Sequence, residues 1–294
     1  MLRHGLALLR APATEVGFVV RSSLRWSRGV PKPDALAAAP TFAWAPESIR
    51  SALQQRADDL DAKFSLAPTI RALAPEQRAR NYARLEQLEG LSEGLEVPCS
   101  EDGAVRAADL GSGDFYYAGA LSRWLAGGGA DAPRQAVLRG LELDGYGVYR
   151  DGHSRADHGR ARAEAASCDQ NVVRYEVADA ASTRLPQQDV VSLFFPFLTT
   201  YACLEWGAPL SRLRPRRVLE RAVEALRPGG WLVVANQTSR EYARLTKLLA
   251  RLPVTRIARG SLATDLAPEA PQTAGQVGSI WVRDEGFPPA AEIR

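Results

Sequence analysis

The sequence predicts an α/β protein built on a doubly wound, seven-stranded and mostly parallel sheet, with an N-terminal helical appendage. From about residue 104, seven short apolar runs follow one another, and helix-length segments separate most of them. Such alternation is typical of βαβ units whose parallel strands are covered by helices on both faces. No clear helix precedes the seventh run, so we expect an antiparallel strand at the end of the sheet. The runs occupy residues 104–110, 136–143, 172–177, 189–195, 230–236, 254–258 and 278–284.

Length and composition limit the class of protein. The chain has 294 residues, of which 46% are hydrophobic and 24% are charged. This mixture is typical of globular proteins and excludes a disordered chain or a coiled-coil rod. No run approaches the roughly 18 apolar residues of a membrane-spanning helix. The widely spaced Cys99, Cys168 and Cys203 predict neither a disulfide framework nor a zinc site, and they favour a reducing, cytoplasmic location.

The first 33 residues are basic, with six arginines and lysines against one glutamate. A helix is predicted over residues 13–28, with Val16, Val20 and Leu24 along one stripe and arginines along another. We expect this helix to dock on the body of the protein through the apolar stripe. Contact of this arm with a membrane surface or RNA is the less favoured alternative, and a mitochondrial-type presequence stays open for a eukaryotic source.

Two further helices are predicted between the arm and the sheet. One begins at Pro46 and repeats apolar residues at helical spacing as far as Phe64, and the other begins at Pro75 and ends near Gly90. The stretch 29–46 contains four prolines and predicts a linker. The predicted organisation is a basic arm and linker at 1–40, a helical cap region at 41–100 and the sheet domain at 101–294.

The most informative segment is Asp109-Leu110-Gly111-Ser112-Gly113, where the first predicted strand ends in an acid and turns into a helix near Tyr116. Glycines permit the sharp turn and the close approach of a ligand, and the helix N-terminus offers free N–H groups to a carboxylate. A dinucleotide fingerprint would need glycine at position 116, and an acid beside a pyrophosphate is electrostatically unfavourable. A cationic ligand is therefore favoured, and a NAD-dependent oxidoreductase is the least favoured alternative.

With these residues the sequence resembles the class I S-adenosylmethionine-dependent methyltransferases, whose first motif is an acid followed by Gly-x-Gly. The resemblance covers roughly residues 100–285 and includes the Leu-x-Pro-Gly-Gly entry to the fifth strand at 226–230. Phe115 stands where the family commonly has a third glycine. The segment 151–158, together with Tyr146, Tyr149 and Arg150, is similar to a little-characterised group of bacterial methyltransferase-like proteins. The resemblance implies the strand order 3-2-1-4-5-7-6 and S-adenosyl-L-methionine as the cofactor.

The resemblance assigns roles to the acids that end the first three strands. Glu142 would accept both ribose hydroxyls, with Asp144 as the neighbouring candidate, and Asp179 would bind the adenine amine. The carboxyl ends of these strands meet at the ligand-binding edge of such a sheet. More residues separate Asp109 from Glu142 than the roughly twenty that usually separate such acids. We expect the additional residues to form a surface loop at 127–133. The predicted cofactor residues are Asp109, Gly111, Ser112, Gly113, Glu142, Asp179, Ala180 and Phe194.

An aromatic segment follows the fourth strand, where members of the family hold the methyl acceptor. It is loosely similar to the Asn/Asp-Pro-Pro-Tyr motif of amino-group methyltransferases but lacks the leading residue. Its rings could stack on a planar acceptor and exclude water, or simply pack between helix and sheet. Asn236 could orient the acceptor or cap the next helix, and His153 could act as a base. The predicted acceptor-pocket residues are Phe195, Pro196, Phe197, Tyr201, Trp206, Asn236 and His153.

No metal site is predicted. The acids that metal-dependent relatives place after strands four and five are missing from the sequence, and the i, i+4 pair of His153 and Asp157 has no third ligand nearby. The predicted function is metal-independent, in-line transfer of a methyl group from S-adenosyl-L-methionine to an unidentified acceptor, with a small or planar molecule favoured. The alternative is a non-catalytic Rossmann-like protein with a membrane- or RNA-binding basic arm.

Overall fold

The computed structural model describes residues 2–32, 37–127 and 134–285. Its strands are β1 Val105–Leu110, β2 Ala136–Glu142, β3 Asn171–Val177, β4 Gln188–Phe194, β5 Leu226–Asn236, β6 Val254–Ser261 and β7 Val277–Arg283. They form one sheet in the order β3-β2-β1-β4-β5-β7-β6. Neighbouring strands are parallel, except that β7 runs antiparallel to both β5 and β6. The predicted fold class is confirmed, and the strand order is that of the class I methyltransferase fold.

Helices precede the sheet and connect its strands. They are α1 Leu2–Leu24, α2 Glu47–Phe64, α3 Ala67–Ile70, α4 Pro75–Leu91, α5 Ala118–Leu125, α6 Arg155–Ala166, α7 Thr200–Glu205, α8 Pro215–Ala225, α9 Ser239–Leu249 and α10 Ala270–Thr273. Pro46 is the N-cap of α2, and Pro75 is the first residue of α4. Proline is favourable there, because the N–H group that it lacks would not form a hydrogen bond within the helix. Both helix starts therefore agree with the sequence prediction.

The sheet separates two hydrophobic layers. Alternate residues of β5 point to opposite faces, so that Val233 belongs to one layer and Leu232 to the other. The first layer joins the sheet to α2, α4, α5 and α6, and the second joins it to α8 and α9. Phe42 is fully buried in the first layer, so the predicted linker 29–46 contributes to the core at its C-terminal end. Residues 33–36 of that linker lie outside the described residues.

The N-terminal arm docks, but not through the predicted stripe. Val16, Val20 and Leu24 are 64%, 49% and 73% exposed, so the expectation that they face the body is wrong. The helix instead begins earlier than predicted, at Leu2, and buries Phe18. Polar contacts hold it: the Ser211 N–H donates to Glu15 at 2.9 Å, and the Arg21 guanidinium donates to both oxygens of Asp144. Periodicity alone does not show which face of a helix finds such partners.

Two further predictions concern the segment after β1. The helix expected near Tyr116 begins at Ala118 instead, because the backbone takes left-handed φ angles at Gly111, Gly113 and Phe115 before it can turn into a helix. The surface loop predicted at 127–133 lies, after residue 127, outside the described residues. Among the residues that the structure describes, no helix combines the length and apolar character needed to cross a membrane.

Candidate cofactor and acceptor site

A cavity of about 610 Å³ opens at the carboxyl ends of the parallel strands. Its size falls in the range of pockets that bind drug-sized ligands. Predicted residues that line it are Gly111, Ser112, Gly113, Glu142, Asp179, Ala180, Phe194, Phe195, Pro196, Phe197 and Trp206. Predicted residues that do not line it are Asp109, Tyr201, Asn236 and His153. The sequence therefore predicted a wall built from the ends of β1, β2, β3 and β4, and it also included four residues that lie outside the cavity lining.

The turn after β1 forms one wall of the cavity. The N–H groups of Gly111 and Ser112 both donate to the carbonyl oxygen of Leu141, at 2.8 and 3.0 Å, which ties the turn to β2. Gly111 and Gly113 have φ angles of 81° and 58°, which glycine adopts without strain. The buried Ser112 hydroxyl has no hydrogen-bond partner among the described residues. A ligand in the cavity could supply that partner.

Phe115 takes a left-handed backbone conformation, with φ 56°, which glycine adopts without strain. Its ring is fully buried and packs edge-on against Tyr117, with the ring centroids 5.7 Å apart. The ring lies over Gly140 of β2, where a Cβ atom would come within 2.8 Å of it. The phenylalanine therefore keeps the shape of the turn, and Gly140 provides the space for its side chain.

Glu142 is held firmly at the end of β2. One carboxylate oxygen accepts from the Gly113 N–H at 2.8 Å. The other accepts from the Asp144 N–H at 2.9 Å and from Arg155 at 3.2 Å. Asp144 is paired with Arg21 of the N-terminal arm. The two acids that the sequence offered for the ribose are thus not equivalent, because Glu142 lies on the glycine turn and Asp144 anchors the arm.

Asp179 borders the cavity after β3. Its carboxylate accepts from the Ala181 N–H at 2.9 Å and lies 3.7 Å from the Arg212 guanidinium. Its carbonyl oxygen accepts from the N–H groups of Ser182 and Thr183. This turn fixes both the carboxylate and the following Ala180 backbone at the rim.

Asp109 lies beneath the turn and is fully buried. Its carboxylate accepts from the Ser192 hydroxyl at 2.6 Å and from the Tyr117 hydroxyl at 2.7 Å. Burial raises the pKa of Asp109 to about 6, although these two hydroxyls and the nearby Arg84 act in the opposite direction. The acid therefore acts on the cavity through Tyr117 and through its charge.

Replacing Asp109 by asparagine is expected to change the pH dependence of stability. Because the pKa is raised in the folded state, folding is favoured by the proton, and the contribution of Asp109 to stability falls as pH rises from about 4 to about 6. The free energy of unfolding of the native protein relative to Asp109→Asn should drop by about 2–3 kcal/mol over this interval. Urea unfolding at pH 4 and pH 7 measures this difference. A difference that stays constant with pH would contradict the raised pKa.

The aromatic segment after β4 surrounds a cation that sequence reasoning missed. The rings of Phe194, Phe195 and Tyr117 lie around the guanidinium of Arg84, which comes from the cap helix α4. The signal was present in the sequence, because polar residues recur every third position through the apolar face of α4. These residues are Arg78, Asn81, Arg84 and Gln87, and all are buried.

Tyr201 and Trp206 lie on α7 and just after it, and both are exposed at the edge of this region. The Tyr201 hydroxyl donates to Glu205 at 3.2 Å.

Asn236 is fully buried at the end of β5, and its amide group has no hydrogen-bond partner in the described part of the chain. The alternative that Asn236 caps the next helix is wrong, because the Thr238 hydroxyl accepts from Glu241 N–H and is the N-cap of α9.

His153 belongs to a separate cluster after β2. Asp157, which shares its i, i+4 spacing, is the third residue of α6 and forms a reciprocal capping pair with Ser154. The Asp151 carboxylate lies 3.3 Å from His153 Nδ1 and 2.9 Å from His158 Nε2. These three groups could share a divalent cation, whereas the sequence analysis found no third ligand near His153 and predicted no metal site.

No protein-family model matches the chain, and no curated protein matches it. It is similar to TrmN from Thermus thermophilus, with 17% identity over 71% of this chain and 53% of TrmN and a TM-score of 0.45. The N-methyltransferase NodS from Bradyrhizobium japonicum WM9 is 12% identical over 72% of this chain and 98% of NodS, with a TM-score of 0.42. An S-adenosylmethionine-dependent methyltransferase from Mesorhizobium loti is 18% identical over 68% of this chain and 98% of its own, with a TM-score of 0.41.

The chain spans about half the length of TrmN. Because these identities and TM-scores are low, the fold class rests on the order and direction of the seven strands. Fold alone does not define a reaction, so function has to be argued from the cavity and its residues.

Proposed function

We propose that this protein is an S-adenosyl-L-methionine-dependent methyltransferase that acts on a small or planar acceptor without a divalent metal. The observation that carries the proposal is the position of Glu142, whose carboxylate is fixed 2.8 Å from the Gly113 N–H on the wall of a large cavity. A carboxylate next to a glycine turn suits a ligand that has a pair of hydroxyls and a positive charge. Residues 101–294 would form the cofactor domain, and residues 41–100 would cover the acceptor.

The residues present fit the cofactor. The buried Ser112 hydroxyl on the cavity wall has no hydrogen-bond partner among the described residues, so a polar group of the ligand could supply one. Glu142 would bind the ribose hydroxyls, while Asp179 and the Ala180 N–H would bind the adenine. When bound, the cofactor supplies a methyl group on a positively charged sulfur, which is already a good electrophile.

The protein then has to align the acceptor and exclude water. Phe194, Phe195 and Phe197 form an apolar wall at the end of β4 that suits a planar molecule. Among the described residues, the acids that line the cavity are engaged in hydrogen bonds or ion pairs and no histidine lines it, so we propose an acceptor atom that is nucleophilic without prior loss of a proton.

Titration calorimetry with S-adenosylmethionine, S-adenosylhomocysteine and NAD tests the proposal. The two sulfur compounds should bind, and NAD should not. Glu142→Gln should weaken the binding of S-adenosylhomocysteine by about 1.5–3 kcal/mol, because a charge-assisted hydrogen bond is lost. The matched control is Glu164→Gln, which removes the same charge from an exposed position on α6.

An unchanged dissociation constant in Glu142→Gln would remove Glu142 from the site. Binding of neither sulfur compound to the native protein would refute the methyltransferase and favour the non-catalytic alternative, whereas binding of NAD alone would favour the oxidoreductase.

A further inference from the structure

Arg84 is a buried cation on the wall of the cavity. Its side chain extends from α4, lines the cavity and is only 5% exposed. The guanidinium carbon lies 4.4 Å from the ring centroid of Phe194, 5.2 Å from that of Phe195 and 5.7 Å from that of Tyr117. These rings hold the guanidinium in place, and they shield it from water. A guanidinium held in this way is ready to bind a planar anion.

No protein group neutralises this cation directly. Among the described residues Arg84 forms neither a hydrogen bond nor an ion pair, and its buried Nε has no acceptor. Other arginines of α4 differ, since Arg80 is paired with Glu269 and Arg78 donates to the Leu73 carbonyl oxygen at 3.1 Å. Asp109 acts on Arg84 only at longer range, because Ser192 and Tyr117 occupy its two carboxylate oxygens.

Burial of a charge without a hydrogen-bonded partner is unfavourable, so such a group in a cavity indicates that a ligand completes it. We propose that Arg84 binds a carboxylate carried by the methyl acceptor, and that the acceptor is an aromatic carboxylate. A guanidinium binds a carboxylate through two parallel hydrogen bonds, and the aromatic walls beside it would stack on the ring that bears the carboxylate. This inference rests on the proposed function and names its class of acceptor.

The cofactor has a carboxylate of its own. The glycine turn offers it few N–H groups, because those of Gly111 and Ser112 donate to the Leu141 carbonyl oxygen and that of Gly113 donates to Glu142. Arg84 stacks on Phe194 and Phe195, at the end of β4, where the aromatic wall for the acceptor lies, so we assign it to the carboxylate of the acceptor. The carboxylate of the cofactor is the competing occupant, and comparing S-adenosylhomocysteine with 5′-methylthioadenosine distinguishes the two.

Benzoate and benzamide are the probes for this proposal, because they have the same size and shape and differ in charge. Calorimetry should show at least tenfold tighter binding of benzoate than of benzamide to the native protein, both with and without S-adenosylhomocysteine. Arg84→Gln should abolish this preference and leave the affinity for S-adenosylhomocysteine unchanged. The control Arg71→Gln removes an equal charge from an exposed position outside the cavity and should keep the preference.

Equal or undetectable binding of the two probes to the native protein would overturn the proposal, and this comparison needs no variant to fold. It would also be overturned if Arg84→Gln, shown to be folded by circular dichroism, weakened the binding of S-adenosylhomocysteine but not of 5′-methylthioadenosine, which lacks the amino-acid carboxylate. That result would assign Arg84 to the cofactor. Failure of S-adenosylhomocysteine to bind, with the benzoate preference intact, would refute the proposed function and leave the anion site standing.

Discussion

Replacing Phe115 by alanine is expected to lower the free energy of unfolding by about 3–5 kcal/mol, and replacing it by glycine is expected to lower it by about 1 kcal/mol less. Both changes remove a fully buried ring and leave a cavity under the turn. Only glycine also removes the strain of a side chain at φ 56°, which is about 1–2 kcal/mol for an L-residue. Urea unfolding of the two variants measures the difference.

The matched control is Phe42, which is buried to the same extent but is not at a positive φ. At that position glycine should be less stable than alanine, because it loses more conformational freedom on folding. The order of the two substitutions should therefore reverse between the two sites. If the alanine variant were the more stable one at Phe115 as well, the left-handed backbone there would carry no strain. Phe115 would then not occupy a position that favours glycine.

A second large effect on stability is expected at the amino ends of the parallel strands, opposite the cavity, where Asp189 is buried at the start of β4. Its carboxylate accepts from the Arg106 N–H at 2.7 Å, from the Ser100 hydroxyl and from Arg227. Arg227→Met should lower the free energy of unfolding by about 3–5 kcal/mol, because it leaves a buried carboxylate without its cation.

The double variant Arg227→Met with Asp189→Asn provides the control. Neutralising Asp189 removes the unpaired charge, so the double variant should be more stable than Arg227→Met alone. Since both residues lie far from the glycine turn along their strands, neither change should alter the affinity for S-adenosylhomocysteine. A double variant that is no more stable than the single one would show that this ion pair contributes little.

The arrangement of the sheet follows closely from the sequence, because its central strands are buried on both faces. Such strands are mostly apolar, and β4 is buried at every position although Gln188, Asp189 and Ser192 are polar. The turn from Gly111 to Gly113 was equally visible, since few residues other than glycine adopt its backbone angles. The wall of the cavity follows from these two features together.

What the sequence could not show are contacts between distant residues. The arm helix is held by pairs such as Arg21 with Asp144, which are separated by 123 positions and leave no local pattern. The pair of His153 and Asp157 was set aside as a metal site, and the structure shows Asp157 in a capping pair with Ser154 at the start of α6. Arg84 was overlooked although a polar residue in every third position of a buried helix face is itself a signal.

The place of β7 has a consequence for how the protein is made. This strand lies between β5 and β6, yet it follows both in the chain. While a ribosome adds the roughly 40 residues from the end of β5 to the start of β7, which takes about 2–8 seconds at usual rates, one edge of β5 has no partner and β6 has none at all. The nascent chain therefore presents an open strand edge that can pair with other chains, and the sheet is complete only when β7 inserts between β5 and β6.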